Sequence, residues 1–550
     1  MTTTFFHHLA SIAIPIIMKQ FASGLWILLL LAYPVFGQTP NLQWSALYGG
    51  SGQNTTYSVA PGIQGKVFVS GTYSGTMALG TQVLQNSGGT DGFVARFSAD
   101  GNAEWAKRLS GSGDDLIRDV FQDGQGNIFL AGQYGSGCSY EGISMPSEGE
   151  SDGFIARLNP EGELIWLKTT TNTGKMQWNR VATDSAGNLI ALGQFSDTLV
   201  LGNNTLTSNS FFNMVLAKFN PAGEVIWAKS WGSSLDDNGF DLWILPSGNI
   251  VVSADYQGII TLGSQTLTRK GLSDALVFQT DPDGNPIWAQ SIGSRKTDNG
   301  FVVTGDANGD VYAAGTFMDT VQVGAVSLIS KGAWDIYVFR FGPDGSPLWG
   351  NSLGSKNNDR CNGIDLGPDG RVYLHGWFQD TLTAGSFSFT AKGMFDCFVT
   401  QMEPGGEISG AFSYGSTNQD VGSDMFVNEQ GNLVLAGNFF GSNLSFGSQT
   451  LTSTTPTTHF LLRTGPLVSE IESLKNGGLL PIRIRQEGDG RMEVFSSESG
   501  MLEIVDGLGR IIIRTELFPN QQTPVFLRRG LYRYRFFSGK KYHSAAFIAN

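Results

Sequence analysis

Carboxylates recur through this chain at a fixed interval. Asp115, Asp237, Asp298, Asp359 and Asp420 stand whole multiples of 61 residues apart, with Asn54 and Met176 in the two remaining places. Asp91, Asp152, Asp274, Asp335 and Asp396 keep the same step, completed by Asn213 and Thr457. Gathered on one face of a repeat protein, these groups would make a strongly negative surface able to hold a cation or a cationic ligand. The first five are the positions a metal would use. The competing reading is structural: Asp accepts backbone N–H groups in turns, and a residue present in nearly every repeat serves the repeat. The run Asp306-Ala307-Asn308-Gly309-Asp310 opens like a calcium loop. It lacks the Gly at position six and the closing Glu, so turn chemistry accounts for it better.

Tryptophan keeps the step too, at Trp44, Trp105, Trp166, Trp227, Trp288 and Trp349, with Gly410 seventh. Exposed, these rings would stack on sugars; placed mid-strand they read as packing between repeats. Positions where the period breaks are better binding candidates. In residues 175–180, Met176 replaces the periodic Asp and Trp178 and Arg180 are added, an expected exposed Trp–Arg contact point. Local repacking is the alternative. Residues 135–149 also depart from their siblings and bring Cys138, Tyr140 and Glu141. Trp178, Arg180, Tyr140 and Glu141 are therefore the ligand candidates. No Gly-x-Ser-x-Gly, His-Glu-x-x-His or phosphate loop is present. His375 and His459 each lack a second ligand at metal spacing. No catalytic residue and no cofactor is expected.

The elements carrying these residues are strands. Within 293–353, residues 300–304 alternate as strand A, and 306–309 form a turn. Residues 310–316 make strand B, 335–341 strand C and 347–353 strand D, with one short strand-like piece in the long B–C connection. Four short antiparallel strands per unit make a propeller blade. The repeats begin on a lone strand D, residues 43–48, and end on a lone strand C, residues 459–463. A hairpin between them would complete a seventh blade and close the ring. The expected fold is all-β: a seven-bladed β-propeller of 61-residue repeats over residues 42–465. A linker at 466–480 and a small C-terminal β-sandwich at 481–550, of about seven strands or fewer, would follow.

Composition agrees. There are 73 glycines, 41% hydrophobic and 15% charged residues, and a net charge of −13. After Pro466 the chain carries 12 Lys and Arg against 9 Asp and Glu, and Lys19 is the sole charge before Gln38, leaving −17 on the repeats. That sign opposes binding to nucleic acid or to anionic lipid. Three cysteines are too few for a disulfide framework. Cys361 and Cys397 fall on strands A and C of one blade, too far apart to bridge, so they read as free thiols. Met18-Lys19, the apolar run 25–31 and the small residues near Gly37 read as an export signal over 1–37, with Met18 a second candidate start. The run is too short for a comfortable membrane anchor, and the mature chain should have no integral membrane segment.

The repeated Asp-x-x-Gly-Asn turns, such as Asp123-Gly124-Gln125-Gly126-Asn127 and Asp184-Ser185-Ala186-Gly187-Asn188, together with the periodic Trp, resemble the bacterial seven-bladed β-propeller repeat family. The resemblance covers about residues 42–465 and implies a fold but no common activity. Residues 502–510 (Leu-Glu-Ile-Val-Asp-Gly-Leu-Gly-Arg) and Gly530-Leu531-Tyr532 resemble the C-terminal sorting domain of the type IX secretion system. The usual Tyr-Pro-Asn-Pro opening and basic finish are absent. That resemblance implies passage across the outer membrane of a Gram-negative bacterium by the type IX machinery, then release or surface attachment. The alternative is an ordinary sandwich that packs on the propeller or binds something itself. The functional expectation is a secreted or cell-surface propeller acting as a binding, adhesion or interaction scaffold for a protein or glycan. An extracellular hydrolase or lyase acting on glycans, and a structural module of an exported assembly, stand as alternatives.

Overall fold

The computed structural model describes residues 39–467, apart from 171 and 210, and the strands of the segment that follows. The expected export signal lies outside the described residues, as does most of 468–481. Among the described residues no helix is long and apolar enough to cross a membrane.

Each repeat folds as the alternation dictates. In the fifth blade, strand A is Asn299–Gly305, B Val311–Phe317, C Asp335–Phe341 and D Pro347–Leu353, in that order across one antiparallel sheet. The B–C connection holds two strands rather than one piece. Thr320–Val323 pairs with Val326–Ile329 through a turn whose Gly324 has φ +57°, a conformation that favours glycine. Blades one to six repeat this order. The seven A strands are Asn54–Pro61, Leu116–Gln122, Met176–Thr183, Asp237–Ile244, Asn299–Gly305, Asp359–Leu366 and Asp420–Val427. Each touches the A strands on both sides, the seventh touching the first, so they line the axis of a closed ring.

The seam lies in blade seven. Its D strand is the first strand of the chain, Leu42–Gly50, paired antiparallel with Thr457–Thr464 from Leu42↔Thr464 to Gly50↔Thr457. No sheet edge is left at the join.

Neighbouring blades are keyed together by the periodic Trp. Each ring lies over a left-handed glycine in the C–D turn of the next blade: Trp44 on Gly101, Trp105 on Gly162, Trp166 on Gly223, Trp227 on Gly284, Trp288 on Gly345 and Trp349 on Gly406. A Cβ at Gly345 would stand 2.5 Å from the Trp288 ring. Trp44, Trp166, Trp288 and Trp349 also donate their indole N–H to a carbonyl of that turn. The seventh pair is inverted. Gly410 stands where Trp is due, and Leu467 stands where the turn glycine is due and fills the gap. The chain leaves the ring there, so no C–D turn exists to receive an indole.

The C-terminal segment forms two four-stranded sheets, seven of their strands within 481–550, the number its turn spacing suggests, and the eighth before it. Glu470–Ile471, Ile482–Gln486, Arg491–Ser496 and Gln522–Phe526 make one; Ile511–Leu517, Gly500–Asp506, Gly530–Ser538 and Lys541–Ala549 make the other. Val494, Val525, Leu502, Ile504 and Leu517 are buried in them. The expected linker thus contributes a strand, Glu470–Ile471, which two residues of pairing with Ile482–Gln486 suffice to define.

Candidate functional site

The two periodic Asp sets sit at one end of the ring, because the end of each B–C connection bonds to the following D–A loop. Asp298 N–H donates to Ser273 O (2.9 Å), Asp359 N–H to Trp334 O (2.8 Å) and Asp420 N–H to Phe395 O (3.0 Å). The carboxylates themselves are turned inward, not displayed as a negative face. Asp115, Asp237, Asp298, Asp359 and Asp420 are all fully buried. Their oxygens accept backbone N–H groups: from Gly135 to Asp115, from Ser233 and Gln257 to Asp237, from Ser294 and Met318 to Asp298, from Ser355 and Gln379 to Asp359, and from Ser416 to Asp420. Burial pushes these acids up, Asp115, Asp237 and Asp298 to about 6 and Asp359 and Asp420 to about 7. Among the described residues, no three His, Cys, Asp or Glu side chains are grouped to hold a metal. Asp306 likewise accepts the N–H groups of Asn308 and Asp310 in its turn.

Of the positions where the period breaks, Glu141 is exposed, but Trp178 and Tyr140 are not the exposed contact points their residue types suggest. Trp178 is fully buried, with its indole N–H on Thr170 Oγ1 (3.2 Å). Its place in other blades is held by Thr56, Ile117, Gly239, Gly300, Cys361 and Gly422, so Trp178 and the buried Met176 repack a site that lost its Asp. Tyr140 is buried as well, where Ser139–Tyr140 adds to strand D of blade one. Glu141 stands in the turn beyond it, at φ +47°, and pairs with Lys107 Nζ (2.9 Å). The three cysteines are buried and unbridged. His375 donates or accepts at Tyr414 Oη (2.7 Å), and His459 stacks on Tyr48; burial lowers them to about 4 and about 3.

Arg180 proves to be the organising residue of the axis. Its place in the repeat is shared by Ser58, Asp119, Asp241, Val302, Gly363 and Asp424, one from each innermost strand. Its guanidinium bonds Asp119 Oδ1 (3.0 Å) and Asp241 Oδ1 (3.1 Å) on the flanking blades, and reaches Asp424 Oδ2 (3.6 Å) in blade seven and Ser58 Oγ (3.4 Å) in blade one. One side chain from blade three can meet blades one, two, four and seven only at the centre of the ring. Its side chain keeps 20% exposure. Burial opposes its charge, but the carboxylates of Asp241, Asp119 and Asp424 outweigh that and raise its pKa. Burial holds Asp424 up at about 6 and also raises Asp241.

These carboxylates also tie strand to strand. In all seven A strands the pairing with strand B slips by one residue, a bulge at residues 57, 118, 179, 240, 301, 362 and 423. Beyond the bulge, an N–H of one A strand is taken by the Asp of the preceding blade: Val181 N–H by Asp119 (2.8 Å), Val303 N–H by Asp241 (2.9 Å) and Val59 N–H by Asp424 (3.0 Å). Arg180 then offsets the charge these staples concentrate. The signal for this centre was a charge at a repeat position that varies from blade to blade, within strands otherwise apolar or small.

Toward the loop face, the bulge residues form the next level. They are Tyr57, Arg118, Asn179, Phe240, Phe301, Asn362 and Ser423, all partly exposed. Gln177, Asn238, Asn299 and Arg360, two residues before the bulge, stand beside them, also partly exposed. At the opposite end, a cleft of about 40 Å³ between Gly62, Lys66, Phe426 and Arg463 has room for water alone.

No protein-family model matches the chain. It is 21% identical over 451 residues to the uncharacterized WD repeat-containing protein L264 of Acanthamoeba polyphaga mimivirus, covering 67% of this chain and 32% of that protein. It is 24% identical over 160 residues to the regulatory protein FlaEY of Caulobacter vibrioides, covering 28% and 17%. The chain therefore spans about a third or less of the length of these relatives. Among solved structures, a DUF4221 family member from Bacteroides vulgatus covers 78% of this chain and 99% of its own at 9% identity and a TM-score of 0.31. A Synechocystis apocarotenoid oxygenase covers 90% and 97% at 12% identity, also with a TM-score of 0.31. Likeness at that level carries no argument about activity.

Proposed function

We propose that this chain is an exported propeller that serves as a binding or adhesion scaffold, secreted from or held at the outer surface of a Gram-negative bacterium. Its partner, a protein or a glycan, would meet the face that carries the D–A and B–C loops. One observation carries the choice of face. Four consecutive blades present large apolar side chains at the end of the B–C connection: Phe211 (72% exposed), Leu272 (69%), Trp334 (38%) and Met394 (60%). Single exposed apolar residues are ordinary, but a row of them on one face of a monomer marks a contact surface. The WD-repeat relative and the propeller fold support a scaffold over a catalyst. Export rests on the apolar run after Met18-Lys19. Type IX sorting, and membership of the seven-bladed β-propeller repeat family, rest on the motif resemblances.

Two measurements test the reading. Pull-down and glycan-array screens of the full mature chain should find a partner whose capture falls when Phe211, Leu272 and Met394 are together changed to Ser. Undiminished capture by that variant would move the binding site elsewhere. Mass spectrometry of the secreted protein should find a chain that begins near Gln38 and ends between about residues 465 and 480. A secreted chain intact to Asn550 would overturn the sorting assignment.

A further inference from the structure

The level of the axis above Arg180 contains two arginines with no acid to pair with. Arg118 donates to Gln177 Oε1 (3.4 Å) and lies 4.6 Å over the Tyr57 ring. Arg360 lies 3.9 Å over the Phe301 ring. Neither comes within 4 Å of a carboxylate among the described residues, whereas Arg180, one level deeper, meets three. The Nε of Arg118 and the Nε of Arg360 are both buried with no hydrogen-bond partner. Buried charges and buried N–H donors are ordinarily matched, because leaving them unmatched is costly. Leaving two guanidiniums unmatched in a protein of net charge −13 is more unusual still.

Blade two and blade six face each other across the ring, so the two guanidiniums flank its mouth from opposite sides. Between them lie flat apolar faces and amides. Phe240 packs edge-on against Phe301 (5.5 Å), Gln177 bonds Asn179, and Asn238 and Asn299 stand at the same level as Gln177. The layer of Arg180, Asp119, Asp241 and Asp424 spans the axis beneath them and floors the mouth as a cup. Guanidinium forks recognise carboxylate and sulfate with paired N–H bonds. Aromatic faces suit the C–H face of a sugar, and amides suit its hydroxyls.

We infer that this cup binds an acidic saccharide, with its carboxylate or sulfate held by Arg118 and Arg360 and its ring against Tyr57, Phe240 and Phe301. This rests on the reading of the loop face as the binding face and names the ligand class.

Titration calorimetry of the full mature chain tests it with three probes: an oligogalacturonate, a sulfated chondroitin disaccharide and a neutral cello-oligosaccharide. One of the acidic probes should bind, and which one does separates carboxylate from sulfate. Affinity should fall as salt rises from about 20 to about 200 mM. Arg118→Gln and Arg360→Gln should each weaken it about tenfold or more. Hydrogen exchange on the unmodified protein supplies a readout that needs no variant: the acidic probe should protect Leu116–Gln122 and Asp359–Leu366. Equal binding of the neutral probe, unchanged by either substitution, would overturn the acidic assignment and leave the scaffold reading standing. So would capture of a protein through Phe211, Leu272 and Met394 with no saccharide bound. Failure of every probe and every partner screen would overturn both.

Discussion

Replacing Arg180 by Leu puts the axial layer to a quantitative test. The change removes the cation that meets Asp119 and Asp241 at 3.0 and 3.1 Å and Asp424 at 3.6 Å. Three carboxylates are then left together in a layer with little water. Removing one partner of a buried ion pair typically costs about 3–5 kcal/mol, because the other charge stays buried. The upper part of that range applies here at neutral pH, since three acids lose one shared cation. Each acid retains a backbone N–H bond, to Val181, Val303 or Val59, and this keeps the loss from exceeding the range. The cost should also depend on pH. Asp424 already sits at about 6, and without Arg180 the acids rise further, so the folded variant takes up a proton that the unfolded chain does not. A one-proton difference changes stability by about 1.4 kcal/mol per pH unit. The defect should therefore shrink by roughly 2 kcal/mol between pH 7.5 and pH 5.5. Urea denaturation of both proteins at the two pH values measures it, with the m-value showing whether the folded states expose comparable surface. A loss below about 1 kcal/mol at pH 7.5, or a loss independent of pH, would refute the claim that Arg180 holds the axis together. Arg180→Leu combined with Asp424→Asn should recover part of the loss.

The whole protein should be more stable at pH 5 than at pH 8. Asp115, Asp237, Asp298 and Asp335 at about 6, and Asp359 and Asp420 at about 7, bind protons more tightly folded than unfolded, so stability is lost as pH rises from about 4 to 7. His375 and His459, held neutral by burial, act in the opposite sense below about 6.5 but are two against nine once Asp424 at about 6 and Asp255 and Asp365 at about 7 are added; a flat or inverted thermal midpoint between pH 5 and 8 would contradict this. Gly345→Ala should cost about 1–3 kcal/mol, since the new Cβ meets Trp288 at 2.5 Å and φ is +80°, while Gly124→Ala, whose Cβ meets nothing within 4 Å, should stay within about 0.5 kcal/mol; paired denaturation curves check both. Removing residues through Gly50 deletes strand D of blade seven and bares the edge of Thr457–Thr464, so the shortened chain should associate and lose exchange protection in that strand, as light scattering and hydrogen exchange would show.

The ring itself was legible because its determinants repeat. The 61-residue step of Trp and Asp set the blade, and the phase of the first and last strands set the closure. Gly410 marked the seventh blade as different, but its partner Leu467 fell within the expected linker and only the packing shows it filling the gap. The axis was harder to see because its determinants do not repeat. Arg180 shares its place with Ser, Asp, Val and Gly, and its carboxylate partners lie 61 and 244 residues away in sequence. The bulge in each A strand also shifts which residues share a level, and the alternation of the strand does not announce it. Trp178 looked like a surface residue because Trp and Arg are typical of contact points. Its burial was decided by the room that Gly153 and Gly193, on neighbouring strands, leave for its ring, a fact of tertiary packing. The second strand of each B–C hairpin was missed because four-residue strands carry too little pattern.

The seam has a mechanical side. The chain enters blade seven at Leu42 and leaves it after Thr464, and those two residues are partners at the same end of one strand pair. Tension applied at Leu42 and Thr464, where the chain enters and leaves the ring, would therefore act on that pair first and part its hydrogen bonds in succession toward Gly50 and Thr457, rather than shearing them all at once. In the other six blades all four strands come from one continuous stretch, and the load reaches them only after the seam has opened. A ring closed by pairing its first and last strands is, under a pull at that join, a zipper with its slider at Leu42.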